Sequence, residues 1–303
     1  MKIFITGGSG FLGKAFIDRL IKSENYLQAP TSSQCDLLTP IPKSISNIAF
    51  DYILHLAVWT QAGDFCLYHQ GEQWLNNQLI NSNVLKWWQE NQPQAKLIFM
   101  GTSCAYAPES DLLEEQYLQG NPIDELRSYA MTKRMLLEGA FSLEKQYKMK
   151  YLCFIPSTLY GPNYHTDDRQ MHFIFDLIKK IIRGKELGEE VVLWGDGLQC
   201  RELMYVEDFV SIAINLMNKV NNEIINIGAG EEHSIKHFAK IISEIVGYDA
   251  NKIIYDTNKY VGAKSKCLNI KKLLSIAPKI KKTDLHEGLT KTIEWSYKTK
   301  VYL

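Results

Sequence analysis

Two residues one helical turn apart carry the first chemical suggestion. In Tyr129-Ala130-Met131-Thr132-Lys133, the phenol and the ammonium fall on one face of a helix predicted over 126–147. An ammonium beside a phenol lowers the phenol pKa, so the tyrosine can exchange a proton with a carbinol oxygen near neutral pH. Upstream, Gly101-Thr102-Ser103 closes an apolar run, and its hydroxyls are placed to hold the same oxygen. A third motif, Thr6-Gly7-Gly8-Ser9-Gly10-Phe11-Leu12-Gly13, follows the first apolar run and opens the first helical one. Gly7 permits a tight turn, Gly10 lets a pyrophosphate approach the backbone, and Gly13 lets helix and strand pack closely. The helix N-terminus adds unpaired N–H groups and a positive dipole end. A dinucleotide is therefore the implied cofactor, and proton-coupled hydride transfer the implied chemistry.

NAD-binding versions of this turn place an acid ~20 residues on to hold the ribose 2′-OH. Here the region reads Gln28-Ala29-Pro30-Thr31-Ser32-Ser33, with no carboxylate before Asp36. The hydroxyls of Thr31 and its neighbours suit a 2′-phosphate. NADP(H) is preferred, with NAD(H) as the alternative.

Positioning these groups requires strand ends and a helix in one place. Residues 2–6, 26–29, 51–57, 95–101 and 150–156 read as strands, the last three as apolar runs buried on both faces of a parallel sheet. Helical spacing occupies 10–21, 72–90 and 126–147 between them. The fold class is α/β: a doubly wound parallel Rossmann sheet with a smaller C-terminal substrate-binding lobe. Its ligands bind beyond the carboxyl ends of the strands. After Tyr160 the pattern predicts a helix at about 169–183, a strand at 191–194, a helix at 207–219 and a strand at 223–227 that returns to the sheet. Residues 1–160 plus about 202–230 form the expected dinucleotide-binding domain, and about 161–201 plus 231–303 the second lobe.

Composition narrows the partners. The 303 residues carry 34 Lys+Arg against 34 Asp+Glu, so no basic surface for nucleic acid is expected. No stretch approaches the ~20 apolar residues of a membrane span, and the apolar start meets Thr6-Gly7-Gly8 too soon for a signal peptide. A cytoplasmic protein without membrane partners is expected. The six cysteines, at 35, 66, 104, 153, 200 and 267, lack metal-ligand spacing. No metal is expected, and each cysteine is read by default as a small buried hydrophobe.

Glycine turn, strand-end Thr/Ser and Tyr-x3-Lys, in that order, resemble the short-chain dehydrogenase/reductase superfamily, extended subfamily, over essentially the whole chain. The resemblance implies cofactor contacts from Gly7, Ser9, Gly10, Phe11, Leu12 and Gly13, with Tyr129 and Lys133. It also implies Asp36 and Leu37 at the adenine, Leu56 and Ala57 at the ribose, and Pro156 and Leu159 at the nicotinamide. Trp194 and Arg201 fall where a nucleotide-sugar diphosphate is carried. Thr102-Ser103-Cys104-Ala105-Tyr106 lacks the Asp-Glu pair of the dehydratases. With Gly101, Ala107 and Pro108 it is similar to the segment of GDP-L-fucose synthases, 3,5-epimerase/4-reductases of GDP-4-keto-6-deoxymannose.

That family implies Cys104 as the epimerisation base and His172 as the acid, with His165 a rival; Thr102, Tyr129 and Lys133 serve C4. Ser103 and Thr158 would meet the sugar. Lys264 or Lys266, in the segment running from Gly262 to Lys266, would meet the diphosphate. The chain departs from the family at Ser9 and Gly10, where a basic residue contacts NADPH, at Thr158 for Asn, and at Ser265 for a basic residue. The expected partner is a GDP-linked keto sugar, hexose or heptose, and the resemblance implies a homodimer through a four-helix interface of 72–91 and 126–147, with Trp74, Trp87 and Trp88 offering apolar area there or, as the alternative, packing the core. A Cys104 that merely fills space would leave a 4-reductase without epimerisation. An NAD-dependent 4-epimerase or C4 dehydrogenase is the alternative enzyme, and a cofactor-sensing binding protein the alternative class.

Overall fold

The computed structural model describes all residues except Asp64, Asp168 and 260–263. In chain order the strands are β1 (Lys2–Thr6), β2 (Tyr26–Gln28), β3 (Tyr52–His55), β4 (Lys96–Met100), β5 (Tyr151–Pro156) and β6 (Thr158–Tyr160). Then come β7 (Val192–Trp194), β8 (Cys200–Arg201), β9 (Leu203–Tyr205), β10 (Glu223–Ile227), β11 (His233–Ser234) and β12 (Ile254–Asp256). The helices are α1 (Phe11–Leu20), the single turns α2 (Lys43–Ser46) and α3 (Phe65–Tyr68), α4 (Gln70–Asn91), α5 (Arg127–Tyr147) and α6 (Phe173–Leu187). Four more follow: α7 (Val206–Met217), α8 (Ile235–Val246), α9 (Lys271–Ile276) and α10 (Leu285–Thr299).

Six strands form one parallel sheet in the order β10-β5-β4-β3-β1-β2, so the expected return of 223–227 is observed as β10 pairing with β5. Alternation along β1 explains the two faces. Phe4 points into a core shared with Trp87 and Trp88 of α4 and Leu136 and Leu137 of α5. Ile3 and Ile5 point the other way, into a core with Phe16 and Leu20 of α1 and Phe209 and Ala213 of α7. Burying each such Phe, Ile or Leu contributes about 1.5–3 kcal/mol. A third core joins α6, α8 and α10 through Ile178, Ile181, Phe238, Ile242, Leu289 and Ile293.

Three expectations need correction. Trp87 and Trp88 are core residues of this chain, 3% and 0% exposed, and only Trp74 of the three reaches the surface. The helix predicted from residue 169 begins at Phe173, because His172 adopts an extended conformation (φ −61°, ψ 149°) while its carbonyl accepts from Phe175 and Asp176. The packing default holds for Cys35, Cys66 and Cys153, but Cys200 and Cys267 are half-buried. The short ladders β6–β9, β7–β12 and β8–β11 went unforeseen at 8 and 11 and in part elsewhere, since two or three residues leave no readable period.

Candidate active site

The glycine turn is built as its sequence requires. Gly7 sits at φ +70°, and a Cβ there would lie 2.7 Å from the Ala57 nitrogen. A Cβ on Gly13 would lie 2.2 Å from the Gly7 carbonyl oxygen. Gly10 differs: its Cβ would meet only that oxygen, at 3.3 Å, leaving open space beside the start of α1, which no side chain caps. Ser9 and Gly10 are exposed, Leu12 is partly covered, and Phe11 packs edge-on against Tyr164 at 5.2 Å. Further polar atoms lie without a hydrogen-bond partner among the described residues at strand ends: Gln28 Oε1 closing β2 and Ser157 Oγ after β5. An uncapped helix start, an open glycine and two orphaned strand-end oxygens fit a dinucleotide lying across these ends. Leu56, Ala57, Pro156 and Leu159 are partly exposed there, while Leu37 is buried. Thr31 and Asp36 lie in the exposed segment after β2, where Thr31 Oγ1 bonds Ser33 Oγ at 2.8 Å and Asp36 accepts from the Leu38 amide at 3.0 Å.

A buried relay ties this turn to the candidate catalytic helix. Thr6 Oγ1 accepts from the Leu56 and Ala57 amides, both at 3.2 Å, and lies 2.8 Å from His55 Nδ1. His55 Nε2 lies 3.2 Å from Asn81 Oδ1, and Asn81 Nδ2 donates to the Thr132 carbonyl. The amide donation orients Asn81, so His55 carries its proton on Nε2 and accepts from Thr6 at Nδ1. Burial, reinforced by Lys133, pulls this imidazole down to about 4, keeping it neutral. No sequence motif marked His55 or Asn81 for this part.

Tyr129 and Lys133 face each other as their spacing predicts, with Lys133 Nζ 5.9 Å from the Tyr129 ring centroid. The expected lowering of the phenol pKa is overturned. Burial, with smaller contributions from Cys104 and Cys66, raises Tyr129 well above a free tyrosine, although a hydrogen bond to Thr102 works the other way. Burial likewise pulls Lys133 down to about 8. Tyr129 is thus held protonated, a proton donor rather than a poised phenolate. Thr102 is buried at the end of β4, where its backbone N–H donates to the Tyr117 hydroxyl and its Oγ1 accepts from the Cys104 amide at 3.3 Å. Ser103 is partly exposed in the turn Ser103–Ala105.

Cys104 occupies that same turn, and Lys266 Nζ lies 3.2 Å from its sulfur. Burial alone would raise the thiol. The Lys266 charge and hydrogen bond, with the Thr102 hydroxyl, outweigh it and hold Cys104 below the ordinary thiol range. Buried Arg134, next to Lys133 on α5, donates to the carbonyls of Ala105, Gln119 and Gly120 and so ties the turn to the helix. The segment carrying Lys266 is held by two carboxylates that sequence reading missed. Glu232 accepts from Ser265 Oγ and the Lys266 amide, and Glu202 from the Leu268 and Gly230 amides. Glu202 is 2% exposed, and burial pushes its carboxyl up to about 7.

The remaining sites are more scattered. His172 stands exposed at the head of α6, with the Tyr164 ring 6.3 Å away; crowding by protein and the nearby His165 hold its imidazole below the usual range. Its described contacts do not include Cys104 or Tyr129. Thr158 opens β6, partly exposed. Trp194, at the end of β7, is 56% exposed with Lys259 Nζ 5.9 Å from its ring centroid. Arg201 is half-buried beside Glu232. Gly262 lies outside the described residues.

The sequence profile of the NAD dependent epimerase/dehydratase family matches residues 3–228. GDP-L-colitose synthase of Yersinia pseudotuberculosis is 30% identical over 304 residues, covering 97% of either chain. A GDP-L-fucose synthetase from Naegleria fowleri bound to NADP superposes with a TM-score of 0.86 at 23% identity, covering 99% of this chain and 94% of that one. A GDP-6-OMe-4-keto-L-xylo-heptose reductase from C. jejuni superposes with a TM-score of 0.87 at 22% identity, covering 99% and 98%. With its glycine turn opening onto strand-end hydroxyls and a Tyr-x3-Lys helix, the chain belongs to the NAD dependent epimerase/dehydratase family.

Proposed function

We propose that the protein is an enzyme that reduces C4 of a GDP-linked 4-keto-6-deoxy sugar with NADPH, after epimerising C3 and C5. The observation that carries this reading is the gathering of Thr102, Cys104 and Tyr129 around one strand end, with a cation on the sulfur. The resemblance to GDP-L-colitose and GDP-L-fucose synthases gives it the nucleotide sugar, and the NADP-bound relative gives it the cofactor. Hexose and heptose substrates both remain in scope, since relatives of both kinds share the fold.

A 4-keto group acidifies the hydrogens on C3 and C5. The Cys104 thiolate takes one of them while His172 delivers a proton to the other face, and the Thr102 and Tyr129 hydroxyls stabilise the enolate oxygen. Gly7, Gly10 and the start of α1 would hold NADPH along the glycine turn, and the cofactor would supply the hydride for C4. Tyr129, held protonated by burial, gives its proton to the C4 oxygen as that charge develops. Trp194 offers an exposed ring face for the base, and Arg201 a guanidinium for the diphosphate.

Residues 1–160 and about 202–230 hold the cofactor in this reading, and about 161–201 and 231–303 the nucleotide sugar. Exposed Trp74, Leu75 and Leu79 on α4, with Met135 and Phe141 on α5, support a homodimer through these packed helices. Among the described residues no helix is long and apolar enough to cross a membrane, and a cytoplasmic location is proposed with the chemistry. Incubation with NADPH and GDP-4-keto-6-deoxymannose in deuterated water tests the whole. NADPH loss with deuterium at C3 and C5 is expected; NADPH loss without deuterium leaves a simple 4-reductase, and no turnover with NAD(H) released on denaturation points to a 4-epimerase.

A further inference from the structure

Lys266 was expected at a diphosphate, yet its ammonium lies on the sulfur of a residue 162 positions earlier. Both partners are held in place independently of each other. On the sulfur side, Thr102 Oγ1 caps the Cys104 amide, and Arg134 grips the carbonyl of Ala105. On the ammonium side, Glu232 takes the Lys266 amide at 3.0 Å and the Ser265 hydroxyl at 2.7 Å, while Glu202 takes the Leu268 amide at 2.8 Å. Glu232 holds the backbone and a hydroxyl of this segment, and Glu202 bridges its Leu268 amide to the Gly230 amide, while the Lys266 ammonium lies on the sulfur.

We propose that Lys266 is the activating partner of Cys104, its ammonium serving as the counter-charge of a thiolate rather than as a clamp for the diphosphate. Charge accounting around the sulfur supports this. Among the described residues, the other titratable groups that face Cys104 are Cys66 and Tyr129, neither of which brings a positive charge. A thiolate among them is stable only with a cation in contact, since burial without one favours the neutral thiol. The proposal rests on the reading of Cys104 as the epimerisation base. In that step a sugar C–H bond breaks and an S–H bond forms, and the electron pair moves onto the keto oxygen as an enolate. An acid then protonates the carbon from the opposite face, and Cys104 returns its proton to solvent. Lys266 touches the base rather than the reacting carbon, and is a positioning residue in that sense.

The test reads the thiol itself. The protein is alkylated with iodoacetamide across pH 5.5–10 (from about three units below a free thiol to about one and a half above it), and the Cys104 peptide is quantified by mass spectrometry, with the half-buried Cys200 as internal control. Wild type is expected to reach half-maximal labelling below an ordinary thiol. Lys266→Met is expected to move that point up by at least about one pH unit, cutting labelling at neutral pH roughly tenfold, with Cys200 unchanged. Lys266→Arg should restore most of the shift, and Glu232→Gln should fall between. An unchanged Cys104 profile in a folded Lys266→Met protein overturns the proposal, and a tenfold rise in KM for the nucleotide sugar alongside it assigns Lys266 to the diphosphate. Normal deuterium exchange in Cys104→Ala, with the labelling shift still present, removes Cys104 as the base but leaves the pairing intact.

Discussion

Arg134 donates to the carbonyl of Ala105 through two of its nitrogens, Nε at 3.0 Å and Nη2 at 2.5 Å. The residue beside Lys133 on α5 therefore fixes the turn that carries Cys104. A buried guanidinium serving only carbonyl acceptors is costly to lose, because each acceptor is left unpaired. Arg134→Met is expected to destabilise the fold by about 3 kcal/mol in urea titrations. It should also lower solvent exchange at C3 and C5 more than it lowers NADPH affinity. Equal losses in both would show that the arginine acts on the fold alone.

Gly10 and Gly13 separate binding from folding. Gly13→Ala forces a Cβ to 2.2 Å from the Gly7 oxygen, backbone against backbone, and should lower Tm by ten degrees or so or prevent soluble expression. Gly10→Ala meets only one atom at 3.3 Å. Its Tm should stay near wild type while NADPH affinity, read by fluorescence, falls at least roughly tenfold, because the methyl stands where a pyrophosphate approaches.

His55 gives the acid limb of the stability curve a definite sign. Its folded pKa, about 4, lies below the 6.5 of an unfolded histidine. As pH falls through 6.5 the unfolded chain takes a proton that the folded one refuses, so stability present above 6.5 is lost down to about 4. The contribution is of the order of 3 kcal/mol in total. Urea titrations of wild type and His55→Gln between pH 7 and pH 4 (values on the order of the two pKa limits) should therefore converge as pH falls, and parallel curves would deny His55 this role.

Tyr129 supplies the proton for reduction and Lys133 sets its alkaline limit. Tyr129→Phe should slow NADPH oxidation by roughly 10²–10⁴-fold with cofactor affinity little changed. Burial raises the phenol, so Tyr129 as proton donor contributes no alkaline limb near neutral pH. Lys133, pulled down to about 8, loses its charge as pH rises through that value, and the rate should decline there. A rate that rises steadily to pH values about two units above it would contradict this assignment.

The sheet was legible in the sequence because burial on both faces leaves long apolar runs, and 223–227 was recognisable as a returning strand for the same reason. The glycine turn and the Tyr129–Lys133 pair were legible because both are local, their geometry set by a few adjacent residues. The ion environment of Tyr129 was not: spacing puts a lysine beside it, but desolvation by the surrounding fold reverses the direction of its pKa. Residue type alone also did not separate the tryptophans of α4, where Trp74 near its start lies on the surface and Trp87 and Trp88 near its end lie in the core.

The thiol of Cys104 was singled out only through the resemblance of its segment to a known family. By itself, the sequence determined the layered α/β plan, the dinucleotide turn and the placing of Tyr129 and Lys133 on one helix face. These rest on periodicity and on contacts within about one helical turn, which a linear chain displays directly. Only the tertiary structure decided which charge meets which group. Lys266 reaches Cys104, and Glu202 and Glu232 hold its segment, across separations of 162, 66 and 34 residues. Such meetings depend on how the strand ends and the later loops close over the sheet, and no local pattern encodes a distance between residues so far apart.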